Sequence, residues 1–190
     1  MIIYYSAKFA LYLACIGLLS SLAMAKEAED EQKVFDKMKS LNTMREALAG
    51  SIPTNSAITE ETFKAVCKPI GAELKSWSEK NGYVANQISH KNRNDKNKVP
   101  ENLSTVYGDF QKDSSLNQMT INLKDAETKV LLFRIPVAES CLRCHGEKAN
   151  RPNFIVSQYS NDKAFDFKVG ELRGLYAIYK QKNKEVKNEK

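Results

Sequence analysis

The chain reads as an α+β protein, with helices first and a mostly antiparallel sheet after them. Three patterns predict this. Val34, Met38, Leu41 and Leu48 recur at helical spacing, as do Phe63, Val66/Cys67, Ile70, Leu74 and Trp77 in a second stretch. Met119 to Leu123 and Lys129 to Ile135 instead read as a pair of strands around the polar turn of residues 124–128. At 190 residues and 42% hydrophobic, the chain can bury one core and still carry tails. No internal repeat, dinucleotide loop or phosphate loop interrupts the reading.

The first residues do not belong to that core. Lys8 is the only charge before an apolar run from Phe9 to Leu19, and Ala23 and Ala25 bracket Met24 as an A-x-A cleavage site. This is the pattern of a secretory leader, residues 1–25, cut before Lys26. The run is short for a membrane span, and polar, charged residues follow it. An uncleaved anchor is the alternative, because the start is weakly basic; lipidation at Cys15 is disfavoured by the little apolar sequence before it. Export predicts a periplasmic protein with no stable span after cleavage. With Lys8 removed, the 29 Lys+Arg against 23 Asp+Glu leave a formal excess of five positive charges. In an exported protein that excess fits an acidic docking partner or an anionic surface, not nucleic acid, and an ordinary basic soluble protein accounts for it best.

In chain order, residues 26–49 form a helix whose start is crowded by Glu27, Glu29, Asp30 and Glu31, where the macrodipole favours acids. Its methionines, Met38 and Met44, are packing residues in this reading. Gly50 to Asn55 breaks it. Thr59 caps a second helix over 59–80, with Glu60 and Glu61 in its first turn. Cys67 falls on the apolar face of that helix, pointing to the interior, and Pro69 perturbs the turn beside it. Asn81-Gly82 ends the helix and Tyr83 to Ser89 reads as a strand. The run from His90 to Lys98 is a polar, basic loop, and residues 101–112 form a short helix with Val106, Tyr107 and Phe110 on one side. Pro136 stops the second strand of the hairpin, Phe154-Ile155-Val156 reads as a short edge strand, and Leu175 to Tyr179 as the last strand. The lysine-rich residues 181–190 form a frayed tail.

Cys141-Leu142-Arg143-Cys144-His145 is a C-x-x-C-H, the attachment pattern of a c-type haem. Two thiols three positions apart each add to a porphyrin vinyl group, and the adjacent histidine supplies the proximal imidazole. A structural zinc site would need two further ligands at suitable spacing, and only the distant Cys67 and His90 are available. A thioredoxin-like motif would open a helix in a βαβ setting and needs no histidine. With Cys15 lost in the leader and Cys141 and Cys144 used in thioethers, Cys67 is the one leftover thiol in an oxidising compartment. It is either a buried structural cysteine or an iron ligand. His90, outside the motif, is its rival for the distal position. In the loop after His90, Lys91 and Arg93 are candidates to pair with haem propionates, against the plain reading of a solvated connection.

Four short motifs then resemble those of a family of exported single-haem c-type proteins with a PAS-like fold. They are Val66-Cys67-x-Pro69, Ser89-x-Lys91-x-Arg93-Asn94-x-x-Asn97, Cys141-x-x-Cys144-His145-Gly146 and Val169-Gly170-Glu171-Leu172-Arg173-Gly174. The chain departs from that pattern in carrying Asp95 after the Arg-Asn pair and in lacking a tryptophan soon afterwards. The resemblance implies one covalent haem c in a PAS-like domain over residues 58–180, following an N-terminal helix and linker over 26–57. It also implies axial ligation by His145 and Cys67, with Cys141 and Cys144 holding the porphyrin. The function so implied is a periplasmic redox or small-gas sensor or binding module with a redox or signalling partner protein. A single-haem electron-transfer cytochrome is the alternative. An enzyme is not expected, since no acid–base pair is marked.

Overall fold

In the computed structural model, which describes residues 3–124 and 128–180 with side chains from Ser21 onward, helix α1 spans Ile3–Gly50 and helix α2 spans Glu60–Lys80. The side chains of the expected leader through residue 20, the turn residues 125–127 and the expected tail 181–190 lie outside the described residues. Among the described residues, no helix is long and apolar enough to cross a membrane. The chain divides into two compact units, one ending at Lys37 and one beginning at Met38. In the first, Lys33 pairs with Glu29 at 2.7 Å, one helical turn away, a contact that supports an exposed helix.

In the second unit, Met38 and Leu41 of the predicted stripe of α1 are buried, while at its end Ala49 is buried and Leu48 only half-buried. Thr59 caps α2: its hydroxyl accepts from the Thr62 amide while the Thr62 hydroxyl accepts from the Thr59 amide. The helix continues through Pro69, which removes one donor from its ladder without ending it. At its far end Trp77 stacks on Tyr83, with ring centroids 5.5 Å apart and planes 5° from parallel.

The sheet has four antiparallel strands in the order β1-β4-β3-β2, where β1 is Tyr83–Ile88, β2 Gln118–Asn122, β3 Lys129–Pro136 and β4 Leu172–Lys180. The inner strands β3 and β4 are buried on both faces. Alternate residues Val130, Leu132, Leu175 and Ala177 pack with Tyr107 and Phe110 of helix α3 (Ser104–Lys112). Arg134 ties α3 to β3 by donating to the carbonyls of Phe110, Asp113 and Leu116, the places where that helix and its exit leave acceptors unpaired. On the other face, Arg45 of α1 reaches the Tyr176 hydroxyl at 2.9 Å, and Asn42 donates to the Arg134 carbonyl at 2.8 Å.

Two elements differ from the sequence reading. Phe154 to Val156 is not an edge strand: it lies in helix α5, Asn153–Gln158. Three apolar residues carry no period, and Pro152 starts the helix by accepting from the Ile155 and Val156 amides. The last strand begins at Leu172, not at Leu175, and Gly174 explains the extension. A Cβ there would stand 2.5 Å from the Ile88 carbonyl oxygen, so only glycine lets β4 lie this close to β1. The pairing of β3 with β4 shifts register between Ile135 and Pro136, which turns the chain out of the sheet toward the C-x-x-C-H segment.

Glycine substitutions test this close approach. Gly174→Ala is expected to lower stability by about 1–3 kcal/mol through the clash with β1. Gly71→Ala, on the open side of α2, should raise it by about 1 kcal/mol. Denaturant titration of the two variants reads both signs.

Candidate functional site

The irregularity at Pro136 delivers the chain into a short turn, Glu139–Cys141, and then helix α4, Leu142–His145. This short helix carries the second half of the C-x-x-C-H motif. Cys141 and His145 stand four residues apart, hence on one helical face, and both line a cleft. Phe63, Cys67 and Ile70 of α2 line the same cleft, at the i, i+4, i+7 spacing of one stripe. Cys67 is therefore not a core residue. Its surface is exposed because it faces the cleft. Protein still encloses it on most sides, and that burial pushes its thiol pKa up against the pull of Arg45, Arg93 and Arg173. Cys144, half-buried beside the cleft, is pushed up by burial and then by its neighbour Cys67.

His145 has its orientation and tautomer set by one contact. Its Nδ1 lies 2.8 Å from the Ala164 carbonyl oxygen, which can only accept, so Nδ1 carries the proton and donates. Nε2 is left with its lone pair for a metal. Arg93 Nη2, 3.4 Å from Nδ1, is then a close neighbour and not a donor to it. The ring is accessible only in part, and burial, with Arg173 and Arg93 adding repulsion, holds its pKa well below the ordinary 6.5. The imidazole is neutral, the form a metal ligand needs.

The Ala164 carbonyl is itself held in position. Asp162, whose side chain is fully buried, accepts from the Ala164 amide at 3.0 Å, from Arg93 Nε at 3.2 Å and from Arg151 Nη1 at 3.1 Å. Arg93 also donates to the Cys144 carbonyl, which ties the loop after β1 to α4. Gly146 makes the turn beyond His145 possible, since a Cβ there would meet the Leu142 carbonyl oxygen at 2.6 Å. Arg143, between the two cysteines, donates to the carbonyls of Ile52, Pro53 and Ser56 in the link between α1 and α2.

Cys67, Cys141, His145 and Arg93 thus come together, with Cys144 on the same short helix. Lys91 and His90 do not join them. Both line a neighbouring cleft. Lys91 Nζ donates to the Phe165 and Asp166 carbonyls, and His90 meets Gln111 at 3.2 Å and packs on Tyr107. Asn92 and Arg93 are buried while the rest of the loop from His90 to Lys98 is exposed, so the solvated connection that its composition indicates is interrupted at those two positions. The sequence reading missed Arg45, Arg173 and Asp162. Arg173 stood inside a quoted motif, while Arg45 and Asp162 carried no local signal. Among the described residues, no group of three or more His, Cys, Asp or Glu side chains could hold a bare metal ion. Cys67 and His145 as donors, with Cys141 and Cys144 as attachment thiols, would instead suit a metal that arrives with ligands of its own.

Comparison with known proteins gives the family. Residues 20–180 match the family model described as Tll0287-like. The chain is similar to the protein in the crystal structure of the cyanobacterial heme-protein Tll0287, with 36% sequence identity and a TM-score of 0.70. That match covers 79% of this chain and 93% of the other. No curated protein matches the chain.

Two outcomes test the site's supports. Asp162→Ala leaves Arg93 and Arg151 buried without their shared counter-charge and should cost about 3–5 kcal/mol in denaturant unfolding. Because the His145 pKa is depressed on folding, its contribution to stability is present above the unfolded value of about 6.5 and is lost as pH falls toward the folded value. Thermal melts taken at falling pH should show that loss, and His145→Gln should flatten it.

Proposed function

Since the chain belongs to the Tll0287-like family, we propose that it is an exported, periplasmic haem protein whose single haem c is attached at Cys141 and Cys144 and ligated by His145 and Cys67. The observation that carries the reading is that Cys67 and His145, from separate helices, line one cleft while His90 lines another. When bound, the haem supplies a one-electron couple. The residues around it decide what that couple does. His145 contributes a neutral donor fixed by Ala164, so the proximal side is rigid. Cys67 contributes an anion when it binds, which stabilises the oxidised metal and lowers the potential relative to His/Met ligation. Enclosure already favours its neutral thiol, so Cys67 is the donor that a change of redox state can release as a thiol. Of the two cations expected near the propionates, Arg93 lines this cleft and Lys91 lines the neighbouring one.

A releasable ligand beside a fixed one favours a redox or small-gas sensor or binding module, read by a redox or signalling partner protein. A non-enzymatic role is part of this proposal: Cys67, Cys141 and His145, which line the cleft, are assigned to holding the haem and not to acid–base work. The second reading, an electron-transfer cytochrome, rests on the rigid hold on His145, which suits a site that keeps its geometry between oxidation states. Export follows from the leader-like residues 1–25.

The purified protein should show a Soret band and, when ferric, the EPR pattern of low-spin thiolate ligation. Cys67→Ser should abolish that pattern and His90→Ala should leave it. Persistence of the pattern in Cys67→Ser would refute the ligation. Redox-cycled spectra separate the two functions: a change of ligation on reduction favours the sensor, and retention of both axial ligands favours the carrier.

A further inference from the structure

Among the described residues, the cleft is lined by three arginines, Arg45, Arg93 and Arg173, and by no aspartate or glutamate. Their partners divide them. Arg93 has a carboxylate partner, Asp162 at 3.2 Å, which it shares with Arg151 at 3.1 Å. Arg45 donates only to neutral oxygens, those of Asn42 at 2.9 Å, Gln87 at 3.1 Å and Tyr176 at 2.9 Å. Arg173 donates through Nη1 alone, to the Ser89 hydroxyl at 3.3 Å and the Lys91 carbonyl at 3.2 Å, and its guanidinium sits over the Phe167 ring. Neither has a carboxylate partner among the described residues, and each keeps N–H groups unused by the protein.

Such an arrangement is costly unless an anion completes it. Two enclosed cations that face the same cleft repel one another, and burial removes the water that would screen them. Burial, followed by repulsion from Arg93 and Arg45, lowers the Arg173 pKa to about 10. Neutral oxygens orient a guanidinium without cancelling its charge. Arg45 is carried by α1 and Arg173 by the central strand β4, so the two are fixed by different layers of the fold.

We propose that Arg45 and Arg173 form a paired carboxylate site, and that its ligand is the two propionate groups of the haem. The assignment rests on the haem reading above and replaces Lys91 and Arg93 as the principal propionate partners. A guanidinium matches a carboxylate with two parallel hydrogen bonds, so the pair fixes the orientation of the porphyrin edge as well as its charge. Positive charge held next to the propionates also raises the potential that the Cys67 thiolate lowers.

The test uses the intact haem-loaded protein. Arg45→Gln and Arg173→Gln should each lower the midpoint potential, seen as a fall on the order of tenfold in the ferrous-to-ferric ratio at fixed applied potential. Both should also shift the propionate bending bands in resonance Raman spectra. Arg45→Lys and Arg173→Lys should retain most of the potential, because the charge stays, and still shift those bands, because the fork is lost. If Arg173→Gln does not accumulate as folded protein, Arg45→Gln and Arg173→Lys carry the test. Unchanged potentials and bands in the arginine variants, or a change confined to Lys91→Gln, would overturn the assignment. A wild-type protein without a Soret band would instead overturn the haem reading itself.

Discussion

The buried carboxylate of Asp162 is the constraint on which the site depends. It joins the loop after β1, 69 residues earlier through Arg93, to the turn before α5 through Arg151 and to its own backbone at Ala164. A carboxylate taken out of water is tolerable only when matched, and here two guanidinium groups and an amide match it. What it secures is the direction of one carbonyl, that of Ala164, and through it the tautomer of His145. The chain thus spends a buried ion cluster on the orientation of a single imidazole, which is the usual logic of a support around a metal ligand.

The cleft itself combines opposed tendencies. Its cationic lining, with Arg45 and Arg173 unmatched by acids among the described residues, favours anions, whereas the enclosure around Cys67 disfavours the thiolate. The arginines lower the thiol's pKa and burial raises it, with burial the larger effect. Cys67 is consequently a poor anion by itself and becomes one only if a metal compensates it. That balance distinguishes it from His145, which is neutral without any partner beyond Ala164. Two side chains of such different character in one cleft make an asymmetric site.

Much of this was legible in the sequence, for physical reasons that differ by element. The ends of α2 could be read because Thr59 and Asn81-Gly82 act locally, and the hairpin because alternation and a polar turn are local too. The C-x-x-C-H spacing carried its chemistry directly. The apolar stripe of α2 placed Cys67 on the correct face but could not reveal whether that face meets a core or a cleft, since both are lined by the same residue types. Lys91 and Arg93, two positions apart in an irregular loop, lie at different clefts because no regular period governs such a segment. Arg45 looked like any basic residue on an exposed helix turn, and the burial of Asp162 arises only when distant segments meet.

The two ends of α2 are both anchored, and this limits how its middle can move. Arg143 grips the link that precedes the helix, and the Trp77–Tyr83 stack fastens its last turns to the sheet. Between them lie Cys67 and Pro69, where the ladder lacks one donor. A helix pinned in this way behaves as a beam supported at both ends, weakest at mid-span. With both ends held, a displacement of the sulfur falls to local bending of that span and not to a swing of the whole helix.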